Sequence, residues 1–185
     1  MNSEHLEFTL CHPHVHLTKR MVWKLFGEGA KLTADSPTDM PGKFTAKQRV
    51  TVTGPSGKSV ELPVTGPSSP YNQVELTHAL TELLGADAKV ELSGTGTGGG
   101  VTLSGDFGEA ELEAGVIIPQ PHIHMPPEDA STLSLLEGQI ISLETDDGRR
   151  LDNVAVRISH LYANRIHLLE EENCPFSESD TFHIF

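Results

Sequence analysis

Two short stretches of this sequence carry side chains spaced for metal binding: His14-Val15-His16 and His122-Ile123-His124. Alternate residues of a strand share a face, so the two imidazoles of each pair stand roughly 6–7 Å apart along the backbone and can turn toward one ion. Neutral imidazole suits zinc, which in catalytic sites takes three protein ligands and keeps a position open. A third ligand for each pair comes from an internal repeat. Pro13-His14-Val15-His16-Leu17 recurs as Pro121-His122-Ile123-His124-Met125, residues 50–57 recur as the hairpin 141–148, and Asn72-Gln73-Val74-Glu75-Leu76 recurs as Asn164-Arg165-Ile166-His167-Leu168. Glu75 therefore holds the place of His167. The expected donor sets are His14, His16 and Glu75 in one half, and His122, His124 and His167 in the other. A single His-x-His also occurs as ordinary exposed strand histidines; two in register, each with a matching third ligand, point to metal. His12 alternates with His14 and His16, and reads either as a further ligand or base or as an exposed residue.

These side chains need strands to hold them, and strand signals dominate. Alternating patterns run over 6–10, 49–53, 59–64, 89–92, 101–103, 115–118, 139–144 and 153–158, punctuated by turns at Gly54-Pro55-Ser56-Gly57, Gly66-Pro67 and Asp146-Asp147-Gly148. Short helices are expected over 18–26, closed by Gly27, and over 77–84, closed by Gly85; a third starts at Pro126-Pro127-Glu128-Asp129. Met21, Trp23 and Phe26 read as core residues of the first helix. The chain is thus mainly β, and the repeat divides it into similar halves, 1–92 and 101–185. The Gly-rich stretch 93–100 is expected to be a flexible connection. Gly94 to Gly99 formally spells a dinucleotide fingerprint, but a strand pattern rather than a helix follows it, so the phosphate-holding helix N-terminus is missing.

Composition narrows the partners. Thirteen Lys and Arg stand against 26 Asp and Glu in 185 residues, a formal charge of −13. Such a surface repels phosphate backbones and anionic lipid, which argues against nucleic-acid and membrane roles. No apolar run is long enough to span a bilayer, and the polar first residues lack a signal-peptide pattern. Two cysteines, Cys11 and Cys174, suit a reducing, cytoplasmic setting and read as buried or idle thiols. Ten histidines against two tyrosines and one tryptophan tilt the chain toward metal chemistry.

From about Phe8 to Asn173 the chain resembles the PduL-type phosphotransacylases, or phosphate propanoyltransferases. The resemblance rests on His14-Val15-His16-Leu17, Gly66-Pro67, Gln73-Val74-Glu75, Gly115-Val116-Ile117, His122-Ile123-His124-Met125, Pro127-Glu128-Asp129-Ala130, Asp152-Asn153-Val154 and His167. It implies two β-barrel domains flanked by short helices, two zinc ions at their interface held by the six residues named above, and coenzyme A with phosphate as substrates of acyl transfer. It leaves a homo-oligomer open. The sequence departs from the family at three cationic positions: Pro13 and Pro121 stand where the family has Arg before each His pair, and Ser69 where it has a phosphate-binding Arg. No N-terminal microcompartment-targeting extension is visible. Arg165, two residues before His167, is expected on the same strand face and is the candidate catalytic cation in place of those lost; the alternative is a salt bridge to Glu170 or Glu172. The functional expectation is metal-dependent transfer of an acyl group from CoA to phosphate, or a shifted reaction such as thioester hydrolysis. A non-catalytic zinc-binding relative serving assembly is the other reading.

Overall fold

The computed structural model describes residues 6–171 and 174–184. Glu172 lies outside them. The chain forms two compact units, one of residues 13–119 and one of residues 1–12 with 120–185. These units differ from the halves expected from the repeat. The chain passes from one to the other at 12/13 and at 119/120, directly before each His-x-His pair, and not at 93–100.

The larger unit is built on β2 (His14–His16), β3 (Ala34–Pro37), β4 (Phe44–Thr53), β5 (Ser59–Gly66), β6 (Gln73–Glu75), β7 (Lys89–Glu91), β8 (Val101–Ser104), β9 (Glu109–Leu112) and β10 (Val116–Pro119). They form one sheet in the order β7-β10-β6-β2-β5-β4-β8-β9, with β3 on β4. Helix α1 (Lys19–Phe26) begins where the Thr18 hydroxyl accepts from the Met21 N–H, and α2 (His78–Leu84) where Thr77 does the same for Leu80. Gly85 closes α2 at φ 65°, a left-handed conformation that glycine adopts without a side-chain clash. Val15, Val50, Val52, Val64, Val74 and Leu103 lie fully buried at its centre. Trp23, expected in the core, is exposed with the Lys19 ammonium 4.9 Å from its ring, whereas Met21 and Phe26 pack against the core.

The Gly-rich stretch is packed within this unit. A Cβ on Gly99 would lie 1.9 Å from the Glu113 carbonyl oxygen, and one on Gly98 2.0 Å from that of Asp87. These glycines let three backbone segments touch, which a loose tether would not require.

The smaller unit holds β1 (Glu7–Cys11), β11 (His122–Met125), β12 (Ile140–Thr145), β13 (Arg150–Ile158), β14 (Arg165–Leu169) and β15 (Phe182–Ile184), with α3 (Pro127–Thr132) after β11. Their order is β1-β14-β11-β13-β12-β15, and a bridge between Leu6 and Phe182 joins the two ends of that order. Ile123, Val154, Val156, Ile166 and Phe182 fill its core. Arg149 braces the β12–β13 hairpin, holding Asp180 through Nη2 (2.7 Å) and Asp147 through Nε (2.9 Å).

Candidate metal centres

Each His-x-His pair lies on a strand between two others in the same way. In the larger unit β2 runs antiparallel to β6, with His14 opposite Glu75 and His16 opposite Gln73, and parallel to β5, with His16 beside Thr65. In the smaller unit β11 runs antiparallel to β14, with His122 opposite His167 and His124 opposite Arg165, and parallel to β13, with His124 beside Arg157. The apolar residues between, Val15 and Ile123, turn the other way into the cores. Strand alternation thus puts all three expected donors of each half on one face.

The donors converge. One ligand atom from each of His14, His16 and Glu75 lies within 4.8 Å of the others, and the same holds for His122, His124 and His167. His14 Nε2 and His16 Nε2 are 3.0 Å apart; Glu75 Oε2 is 3.5 Å from the first and Oε1 3.7 Å from the second. In the smaller unit the His122 and His167 rings stack at 5.2 Å between centroids, and the His124 ring is 4.4 Å from that of His167. Burial, then the neighbouring His14 and Lys43, pushes the His16 pKa down to about 3. Burial, then His167, His122 and Arg157, pushes that of His124 down to about 2. Both rings are therefore neutral at pH 7, the form that binds a transition metal. Two or three basic donors crowded this closely, and kept unprotonated, fit a divalent ion such as zinc.

A second layer of side chains holds the donors. The Ser93 hydroxyl donates to Glu75 Oε1 (2.5 Å) and lies 2.9 Å from the Gln73 amide oxygen, which also accepts from the Gly94 N–H (3.0 Å). The Cys11 sulfur is 3.4 Å from His167 Nδ1. Such contacts fix a ligand's orientation and tautomer. Tyr162 stacks on His124 at 3.9 Å between centroids, and Tyr71 meets His16 edge-on at 5.8 Å. Sequence reasoning missed Ser93, both tyrosines and Arg157. The chain has only these two tyrosines. Their positions just before the repeated Asn72 and Asn164 were the available signal.

The other expected residues are placed as follows. Arg165 shares the cluster face, and its Nη1 donates to Thr9 Oγ1 (3.0 Å); Thr9 pairs with His167 across β1 and β14. His12 is exposed, with Nδ1 2.8 Å from Glu170, and stands in neither donor set. Ser69 is buried, and its N–H donates to the carbonyl of Leu17, the residue after the first His pair. No described helix is long and apolar enough to cross a membrane.

The chain has relatives among known proteins. A family model for phosphate propanoyltransferase matches residues 8–178. The phosphate propanoyltransferase of Enterococcus faecalis is 38% identical over 162 residues, covering 86% of this chain and 77% of its own. That of Clostridioides difficile is 35% identical over 170 residues, covering 89% and 81%. That of Salmonella typhimurium is 35% identical over 163 residues, covering 86% and 77%. The chain belongs to the phosphate propanoyltransferase family.

Proposed function

We propose that the chain transfers an acyl group between coenzyme A and phosphate, using two divalent metal ions, zinc by preference. The observation that carries this reading is the convergence of two donor triads within 4.8 Å each, in a chain whose relatives bear that name. His14, His16 and Glu75 would hold one ion, and His122, His124 and His167 the other. A bound zinc supplies Lewis acidity, polarising a thioester carbonyl and stabilising thiolate. The chain's own residues do the rest. The neutral imidazoles of His16 and His124 keep their lone pairs for the ions, and Ser93 and Cys11 orient Glu75 and His167. The Arg165 guanidinium, held at Thr9, brings a positive charge for an anion to the face of His167, while Pro13, Ser69 and Pro121 carry none. In the transfer a phosphate oxygen bonds to the acyl carbon, the carbon–sulfur bond breaks, and the proton of hydrogen phosphate ends on the coenzyme A thiol. We further infer that the bridge from Leu6 to Phe182 closes the smaller sheet as a barrel, and that the chain works in the cytoplasm.

Thiol release from propanoyl-CoA tests the reaction. Release that requires phosphate and stops on chelation is expected, with close to two metal equivalents by elemental analysis. Phosphate-independent release would mean hydrolysis instead. No release from metal-replete protein would leave a non-catalytic zinc-binding relative.

A further inference from the structure

The two triads differ in what stands beside the second histidine. His16 has Thr65 on one neighbouring strand and Gln73 on the other; His124 has Arg157 and Arg165. Directly paired residues of adjacent strands share a face, so both arginines rise on the same side of the sheet as His122, His124 and His167. The Arg165 guanidinium is anchored at Thr9, which pairs with His167. Arg157 is held through Nε by Glu137 (3.2 Å); among the described residues its two terminal nitrogens make no hydrogen bond. Asp129 Oδ2 accepts from the Asn164 amide, Glu170 meets His12, and Glu137 Oε2 accepts from the Ile158 N–H. The His122, His124 and His167 set also contributes no negative charge, whereas Glu75 brings one to the other triad.

We infer that the smaller unit carries the oxyanion subsite of the chain: a phosphate dianion docks beside His124 between Arg157 and Arg165, and not at the turn that holds Ser69. This rests on the acyl-transfer reading and adds Arg157 and the location. Two guanidiniums on strands either side of one imidazole bring to this face the charge and planar donor group that suit phosphate oxygens. Ser69 cannot replace them, because it is buried and its hydroxyl oxygen takes the Tyr71 N–H (3.4 Å).

The test is calorimetric titration of the metal-replete protein with inorganic phosphate, with metal content measured on every variant. Arg157→Gln and Arg165→Gln are each expected to weaken phosphate binding about tenfold or more, since a charge-assisted pair is worth roughly 1.5–3 kcal/mol. Arg157→Lys and Arg165→Lys should recover part of the loss. Glu137→Gln separates binding from structure: it breaks the ion pair of Arg157 but should leave phosphate affinity unchanged or tighter. Arg49→Gln, at an exposed ion pair with Glu61 in the larger unit, should change nothing. Equal phosphate affinity in the parent and both Gln variants, with metal intact, overturns the inference. So does a parent that binds no phosphate, or a loss in Glu137→Gln as large as in Arg157→Gln. Thiol release read in parallel keeps the two ideas apart. Phosphate binding that depends on both arginines, without thiol release, supports the subsite and sinks the acyl-transfer reading. Phosphate-dependent thiol release untouched by both Gln substitutions does the reverse.

Discussion

The two triads are one frame filled twice. In each, a three- or four-residue strand carries two histidines out and the apolar residue between them in, between a parallel neighbour (β5 or β13) and an antiparallel one (β6 or β14). The antiparallel neighbour supplies the third donor, and beyond it lies the strand that precedes the other His pair: β10 beside β6, β1 beside β14. Against that constancy only a few positions change. Glu75 becomes His167, Ser93 gives way to Cys11 as the residue behind it, and Thr65 and Gln73 become Arg157 and Arg165. Glu75 gives the first set a negative charge; the second set has none and is flanked by two arginines. The same strand frame thus carries side chains of different charge in the two units.

The largest effect should come from emptying one frame at a time. His14→Ala with His16→Ala, or His122→Ala with His124→Ala, should each remove one metal equivalent and leave the other. Thiol release should fall at least about 100-fold, because even outer-layer substitutions at metal sites cost 10–100-fold. Loss of both metals from either double variant would show that the triads are not independent sites.

A smaller effect tests the boundary of the larger unit. Gly99→Ala should push a Cβ against the Glu113 carbonyl and lower the melting temperature by roughly 5–15 °C, the range of a steric clash worth a few kcal/mol. An unchanged melt would return 93–100 to the status of a tether.

The smallest effect concerns the Arg149 brace of the smaller unit. Hydrogen bonds from Arg149 and Thr145 hold the Asp147 pKa down to about 2, and Arg149 also lowers that of Asp180. A carboxylate whose pKa is depressed by folding stabilises the native state above its unfolded value near 4. That contribution drains away as pH falls toward 2. Arg149→Gln should therefore flatten the acid side of the stability profile between pH 4 and 2. Asp147 is exposed and Arg149 and Asp180 are half-buried, so added salt should shrink the difference. An identical acid profile in parent and variant would show that the brace contributes nothing.

Much of the frame was legible in the residues. Alternation marks β1, β5, β10 and β13 beside the triads, Thr18 and Thr77 mark helix starts, and the repeat pairs Glu75 with His167. Three features were not. The partners of β1 and β10 depend on pairing across the whole chain, which no local pattern encodes. Ser93 and Gly98 to Gly99 sit in a stretch whose composition reads as linker, because glycine serves close packing and looseness alike. Arg157 ends an alternating strand pattern as any solvent-facing charge would, and only the register beside His124 sets it apart.

The pairing of β1 with β14 has a consequence for how the protein is born. Glu7 meets Arg165, so the first strand made must wait for a partner 165 − 7 = 158 residues later. At 5–20 residues per second on the ribosome that is on the order of 10–30 s. Residues 13–119 hold a complete sheet and emerge well before the partner of β1 does. The nascent chain therefore carries an unpaired strand edge, with the buried Phe8 as its apolar face, through most of synthesis.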